Sequence, residues 1–268
     1  MLKKILVPLA AIAMAACGTS TASTQAHPSE ISGYNTNDYL KGSYVSSQGQ
    51  TLPYRLLMPA GYDPKKSYPM IVWLHGSGEA GTDNEKQISN GAEVFATPEV
   101  RTRYPAFVLA AQCPPGDRWS NMSSHTSAGH QRMSARPTRT AQATFELIEQ
   151  LKTLYAINSK QITVVGLSLG GFGAWDWIVR RPDLFSAALP MSGGGDTSQA
   201  ARLVNSRVWA FHGNKDTVVG VTQTRLMIQA IQRAGGHPLY TEIAGGGHGP
   251  WNTIVAEPQV LAWLFASE

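Results

Sequence analysis

Ile162-Thr-Val-Val-Gly166-Leu-Ser168-Leu-Gly170-Gly171 decides the reading of this 268-residue chain. An apolar, β-branched run suited to a buried strand passes through Gly-x-Ser-x-Gly into a stretch with helical composition, residues 172–181. A strand, a tight turn tipped by serine and a helix make the pattern of a nucleophile elbow. The residue types follow from the chemistry. A serine hydroxyl attacks only when a base takes its proton, so it must project from a sharp turn within reach of a histidine. Such a turn strains the backbone and draws strand and helix close together, which leaves no room for bulky neighbours. Gly166, Gly170 and Gly171 meet that need. Taken alone, the pentapeptide also fits an ordinary strand–turn–helix with a surface serine.

The partners decide between these readings. In this architecture an acid and then a histidine follow the serine along the chain. Val208-Trp-Ala-Phe-His212-Gly-Asn-Lys-Asp216 reads as a short buried strand running into a loop that carries an acid. Leu239-Tyr-Thr-Glu-Ile243 reads as another strand, followed by Ala-Gly245-Gly-Gly-His248-Gly-Pro-Trp251. Both candidates fall just past the C-terminal end of a strand, the edge where open α/β sheets place their sites. Ser168, Asp216 and His248 therefore form a triad in the expected order. Asp196, after Met191-Ser-Gly-Gly-Gly195, also follows a strand and is the rival acid; Asp216 is preferred because its strand immediately precedes the histidine-bearing one. Of the other histidines, His27 lies in the leader region and His125 and His130 in a polar loop. His212 precedes the acid and reads as structural, and His237 as a solvent-exposed turn residue.

Acyl transfer at the serine develops an oxyanion that needs preorganised N–H donors. The amide of Leu169 is one, and the loop His75-Gly76-Ser77-Gly78-Glu79-Ala-Gly81 after the strand 69–74 offers the second through Ser77 or Gly78. His75 reads as a residue that shapes this loop.

Several ordered motifs together resemble one family. They are Leu74-His-Gly-Ser-Gly-Glu-Ala-Gly-Thr-Asp-Asn84, Ala111-Gln-Cys-Pro-Pro-Gly-Asp-Arg-Trp119, Gly166-Leu-Ser-Leu-Gly-Gly-Phe-Gly-Ala-Trp175, Met191-Ser-Gly-Gly-Gly-Asp196 and Phe211-His-Gly-Asn-Lys-Asp-Thr-Val218. The chain resembles the α/β-hydrolase group labelled predicted peptidase or phospholipase/carboxylesterase, over residues 44–264. That group is similar to dienelactone hydrolases, polyhydroxybutyrate depolymerases and feruloyl or acetyl-xylan esterases. The resemblance implies serine-ester hydrolysis with Ser168, Asp216 and His248 as triad. It is specific for fold and catalytic class and not for substrate.

Length and composition agree with one α/β domain over residues 41–268. The hydrophobic share of 43% supplies one core and excludes disorder. Patterning predicts a hairpin (42–47 and 51–57), strands at 70–74 and 106–111, and helices at 84–95 and 138–155. It also predicts a short helix at 200–203 and helices at 223–234 and 254–265. Strands alternating with helices predict a three-layer α/β/α sandwich with a mostly parallel sheet, the α/β-hydrolase fold. Asp83 and Asn84 read as caps of the helix they precede.

Residues 1–16 read as a signal peptide: Lys3 and Lys4, then an apolar stretch too short to span a bilayer. Met14-Ala-Ala-Cys17 resembles a lipoprotein signal, with Cys17 as the lipidated residue and 17–40 as a tether. Cleavage after Ala26 is the alternative. Either reading places the protein outside the cytoplasm, in the cell envelope or secreted, with membrane contact only through the anchor. Removing Lys3 and Lys4 lowers 22 basic residues to 20 against 18 acidic ones, too small an excess to argue for nucleic acid. The two cysteines suggest no bridge and no metal cluster, and the triad chemistry calls for no cofactor.

Substrate choice is assigned to the long polar segment 113–139. Trp119 is expected to flank an acyl or sugar pocket, or else to pin the segment to the body, and Trp251 to line the same mouth. The expected substrate is a small-molecule or carbohydrate-linked ester. A prolyl-oligopeptidase-like serine peptidase and a non-catalytic binding module on the same fold are the alternatives.

Overall fold

The computed structural model describes residues 5–6, 36–122, 131–249 and 251–266. The leader apart from residues 5–6, the tether up to residue 35 with Cys17 and His27, and His125 and His130 lie outside these residues.

Nine strands form one sheet: β1 (Ile5–Leu6), β2 (Leu40–Val45), β3 (Thr51–Leu57), β4 (Tyr68–Leu74), β5 (Phe107–Ala111), β6 (Ile157–Leu167), β7 (Ala187–Met191), β8 (Arg207–Gly213) and β9 (Leu239–Ile243). Their order is β1-β2-β3-β5-β4-β6-β7-β8-β9. β1 is a two-residue pairing with Tyr44 and Ser43. From β5 to β9 every neighbour pair is parallel, and β2, β3 and the β3–β5 pair are antiparallel. The helices are α1 (Pro98–Arg103), α2 (Arg139–Leu154), α3 (Leu169–Arg180), α4 (Thr222–Arg233), α5 (Trp251–Ala256) and α6 (Pro258–Leu264).

Side chains alternate across a strand, so a sheet covered on both faces needs apolar residues at every position. β4 shows this. Met70, Val72 and Leu74 join one buried cluster with Phe145, Leu147, Phe172, Trp175 and Met227 of α2, α3 and α4. Ile71 and Trp73 join a second with Phe95, Val100, Val255 and Val260 on the side of α1, α5 and α6. The result is a three-layer α/β/α sandwich with the α/β-hydrolase strand arrangement.

Two expected helices differ. Residues 84–95 form two short 3-10 segments, Lys86–Ile88 and Ala92–Ala96, separated by Asn90 and Gly91 at φ 62° and 142°. That left-handed turn ends α-helical winding. A Cβ on Gly91 would stand 2.3 Å from the Trp73 ring, so the chain crosses there in close contact with the core. Asp83 still acts as a cap, accepting the amides of Glu85 and Lys86. The stretch 254–265 is two helices because Pro258 forces Glu257 out of the helical region, to ψ 127°.

Candidate active site

Ser168 sits between β6 and α3 with φ 52° and ψ −114°, outside the conformations a non-glycine residue prefers. Its neighbours hold it there. Its amide donates to the Met191 carbonyl at 2.9 Å, and its carbonyl accepts from the Phe172 amide at 3.1 Å. A Cβ on Gly166 would meet the Gly170 carbonyl oxygen at 2.1 Å, and one on Gly170 would meet the Leu74 carbonyl oxygen at 1.9 Å. These glycines serve close backbone approach rather than flexibility.

Asp216 and His248 come from the loops after β8 and β9, and those loops are joined. Lys215 donates its amide to the Gly246 carbonyl, and Gly245 donates to Asn214 Oδ1. A Cβ on Gly213 would lie 2.4 Å from the carbonyl oxygens of both Gly246 and Gly247. Across this seam His248 Nδ1 stands 2.7 Å from Asp216 Oδ2, and His248 Nε2 stands 2.9 Å from Ser168 Oγ. The three side chains form one hydrogen-bonded chain at the C-terminal edge of the sheet. Asp216 Oδ1 also accepts the amides of Val218 and Val219. Burial works against the ionised carboxylate, but the bonds from His248 and these amides outweigh it and hold its pKa below the ordinary value.

Asp196, the rival acid, is spent elsewhere: it caps Ser198 and accepts the Met133 amide. His212 is buried, with its ring nitrogens on Thr224 Oγ1 and the Val219 carbonyl, each at 2.8 Å. Its Nε2 also stands 3.3 Å from Asp216 Oδ2. His237 is exposed.

The loop after β4 runs beside the serine. Leu169 opens α3, so its amide is one that a helix start leaves without an intrahelical acceptor. Ser77 and Gly78 are exposed, whereas His75 and Gly76 are buried. His75 Nδ1 donates to the Gly76 carbonyl at 2.6 Å and its Nε2 accepts the Cys113 amide at 3.0 Å, which fixes one neutral tautomer. Burial lowers its pKa to about 4. The point where a Gly76 Cβ would sit is 3.6 Å from Ser168 Cβ.

Trp119 does not flank a pocket. It is 0% exposed, donates its indole N–H to the His75 carbonyl at 2.9 Å, and accepts the Trp177 indole N–H on its own carbonyl. Its flat apolar ring is used as core beneath the loop, so it pins the segment to the body. Trp251 lies beside His248. Its ring meets that of His248 edge to face, centroids 5.0 Å apart, and with Asn90, Gly247, Gly249 and Asn252 it lines a cavity of about 440 Å³. No motif marks Asn90 or Asn252 in the sequence beyond the turn signal in Ser89-Asn-Gly91.

A family model described as "Putative esterase" matches residues 46–259. The chain belongs to this esterase family. A crystal structure of a thermostable esterase superposes with a TM-score of 0.79 at 35% identity, covering 86% of this chain. This family member spans 63% of that protein's length. A ferulic acid esterase from Anaeromyces mucronatus gives a TM-score of 0.59 at 18% identity over 85% of this chain and 89% of its own. S-formylglutathione hydrolase from Staphylococcus aureus gives 0.61 at 11% identity over 85% and 96%. These two likenesses are of fold.

Proposed function

We propose that this family member is a serine carboxylic-ester hydrolase working through an acyl-enzyme. The hydrogen-bonded chain from Ser168 Oγ through His248 to Asp216 Oδ2 carries the reading. His248 Nε2 takes the hydroxyl proton as Ser168 attacks the ester carbonyl, and Asp216 holds Nδ1–H in place and stabilises the imidazolium. His248 then returns the proton to the leaving alkoxide. Water, deprotonated by the same nitrogen, releases the acid and restores Ser168.

The oxyanion is assigned to the amides of Leu169 and Ser77. The Gly76 carbonyl accepts from His75 Nδ1 and from the Glu79 amide inside the loop. In a planar trans peptide the Ser77 N–H points the opposite way, out of the loop. Removing one such donor typically costs 10²–10³ in kcat. Trp251, beside His248, is assigned to the substrate mouth. Export through residues 1–16 and lipidation of Cys17 belong to the proposal too, and Cys17→Ser would move the protein from the membrane to the soluble fraction.

The test is hydrolysis of p-nitrophenyl esters from acetate to octanoate beside a peptide p-nitroanilide. Ester turnover should vanish in Ser168→Ala, and Asp216→Asn should lose about 10⁴ in kcat by presenting the wrong imidazole tautomer. Turnover of the anilide alone would point to a peptidase instead, and absence of any Ser168-dependent turnover would sink the hydrolase reading.

A further inference from the structure

The triad chemistry makes no use of Glu79, a carboxylate with one oxygen that no group among the described residues engages. Glu79 closes the 3-10 turn Ser77–Glu79 in the loop that faces Ser168, and it is 9% exposed. Its Oε1 accepts one hydrogen bond, from Asn90 Nδ2 at 2.7 Å. Among the described residues its carboxylate has no other hydrogen bond and no cationic partner. Oε2 is thereby left able to accept a donor from outside the fold.

Its position is as telling as its isolation. Glu79 Oε2 lies 3.0 Å, and Ser168 Cβ 3.6 Å, from the point a Gly76 Cβ would occupy. Glu79 Oε2 and Ser168 Cβ thus both approach the same side of Gly76. Asn90, which holds it, lines the cavity that contains His248 and adopts φ 62°. Unfavourable backbone geometry of that kind persists where surrounding structure enforces it, and it clusters at ligand sites. A lone negative charge here opposes the negative charge that develops on the substrate oxygen. A positive charge on the substrate would reverse that effect.

We propose that Glu79 is a specificity-determining residue. It receives an ammonium group on the carbon next to the scissile carbonyl of the acyl part, and Asn90 orients the carboxylate for it. The preferred substrates are then α-aminoacyl esters. This rests on Ser168 being the acylated nucleophile. The proposal asks for a short reach: from Ser168 Oγ the acyl chain runs through the carbonyl carbon and one further carbon to the nitrogen. The chemical step is unchanged, because the ammonium neither gives nor takes a proton in it. The Glu79 carboxylate supplies a charge-assisted acceptor that a neutral acyl group cannot use.

The test compares kcat/KM for the p-nitrophenyl esters of L-alanine, N-acetyl-L-alanine and propionate, with wild type and Glu79→Gln. The range runs from about pH 5.5 to about pH 9, across the ordinary α-amino pKa near 8. Wild type should prefer the alanine ester over both neutral esters by about tenfold or more at the acid end, the size of one good charged contact. The preference should fade as the substrate amine loses its proton. Glu79→Gln keeps an acceptor for Asn90 and should lose about tenfold in the alanine-to-propionate ratio. Wild type without an ammonium preference overturns the proposal. So does a Gln variant that slows all three esters equally, the mark of a residue that only supports the loop. Failure of the hydrolase reading is distinct: no Ser168-dependent turnover of any of the three, which overturns both.

Discussion

Replacing Trp119 by phenylalanine separates a buttress from a substrate contact. The indole N–H is the donor to the buried His75 carbonyl at 2.9 Å, and phenylalanine has none to offer. Leaving a buried carbonyl without its partner costs about 1–3 kcal/mol. The smaller ring leaves a void beside Gly173, His75 and Trp177, which adds about 1 kcal/mol. The expected loss is about 2–4 kcal/mol. At about 2–4 °C per kcal/mol for a domain of this size, Tm should fall by about 5–15 °C. Guanidinium unfolding, followed by the fluorescence of the remaining tryptophans, measures the loss at fixed temperature. Ester kinetics on the same variant should show KM within about twofold of wild type, because a side chain with no exposed surface removes no substrate contact when changed. A fall in kcat is compatible, since His75 leads into the loop that faces Ser168. An unchanged Tm together with a several-fold rise in KM would refute this reasoning and return Trp119 to the pocket.

Four further outcomes follow from groups elsewhere in the fold. His75 titrates near 4 in the folded protein against an ordinary 6.5, so the unfolded chain binds more protons between those values. Stability is then full above about pH 6.5 and falls as pH drops toward 4, by about 3 kcal/mol for this group. His212 is shifted in the same direction by burial and adds to the trend. Guanidinium midpoints at pH 7.5 and 4.5 should differ less in His75→Asn than in wild type, and equal differences would contradict the assignment. Gly170→Ala drives a Cβ to 1.9 Å from the Leu74 carbonyl oxygen, and thermal melts should show a loss above about 4 kcal/mol or no folded protein. Gly220→Ala meets nothing within 4 Å and should stay within about 1 kcal/mol of wild type. Cys113 is 0% exposed with its thiol pushed up to about 12 by burial, so an aromatic disulfide reagent should react only at the unfolding rate.

The parts legible in the sequence were those where one local rule dominates. β9 matches its expected span, Leu239–Ile243, because it is a short run suited to a pleated surface and bounded by turn residues. The elbow was readable because close approach of two backbones excludes every residue but glycine at Gly166 and Gly170. Helix α3 begins at Leu169 rather than 172, since those same glycines are wound into its first turn. The sequence misled where a tertiary contact overrode a local pattern. Residues 84–95 have helical composition, yet the approach of Gly91 to Trp73 imposes a left-handed turn. Trp119 has the composition of a binding residue and the environment of a core residue, which only the position of His75 reveals. Asn90 was invisible because its partner, Glu79, is eleven residues away on another turn.

The hydrogen bonds from Trp177 to Trp119 and from Trp119 to His75 make a strut between two places that look unrelated along the chain. At one end is α3, whose first residue, Leu169, is the first of the proposed oxyanion donors. At the other is the loop that carries Ser77, the proposed second. In the proposed mechanism both donors are therefore tied to one helix, so a displacement of α3 would carry the loop with it and leave their spacing less disturbed than two independent supports would.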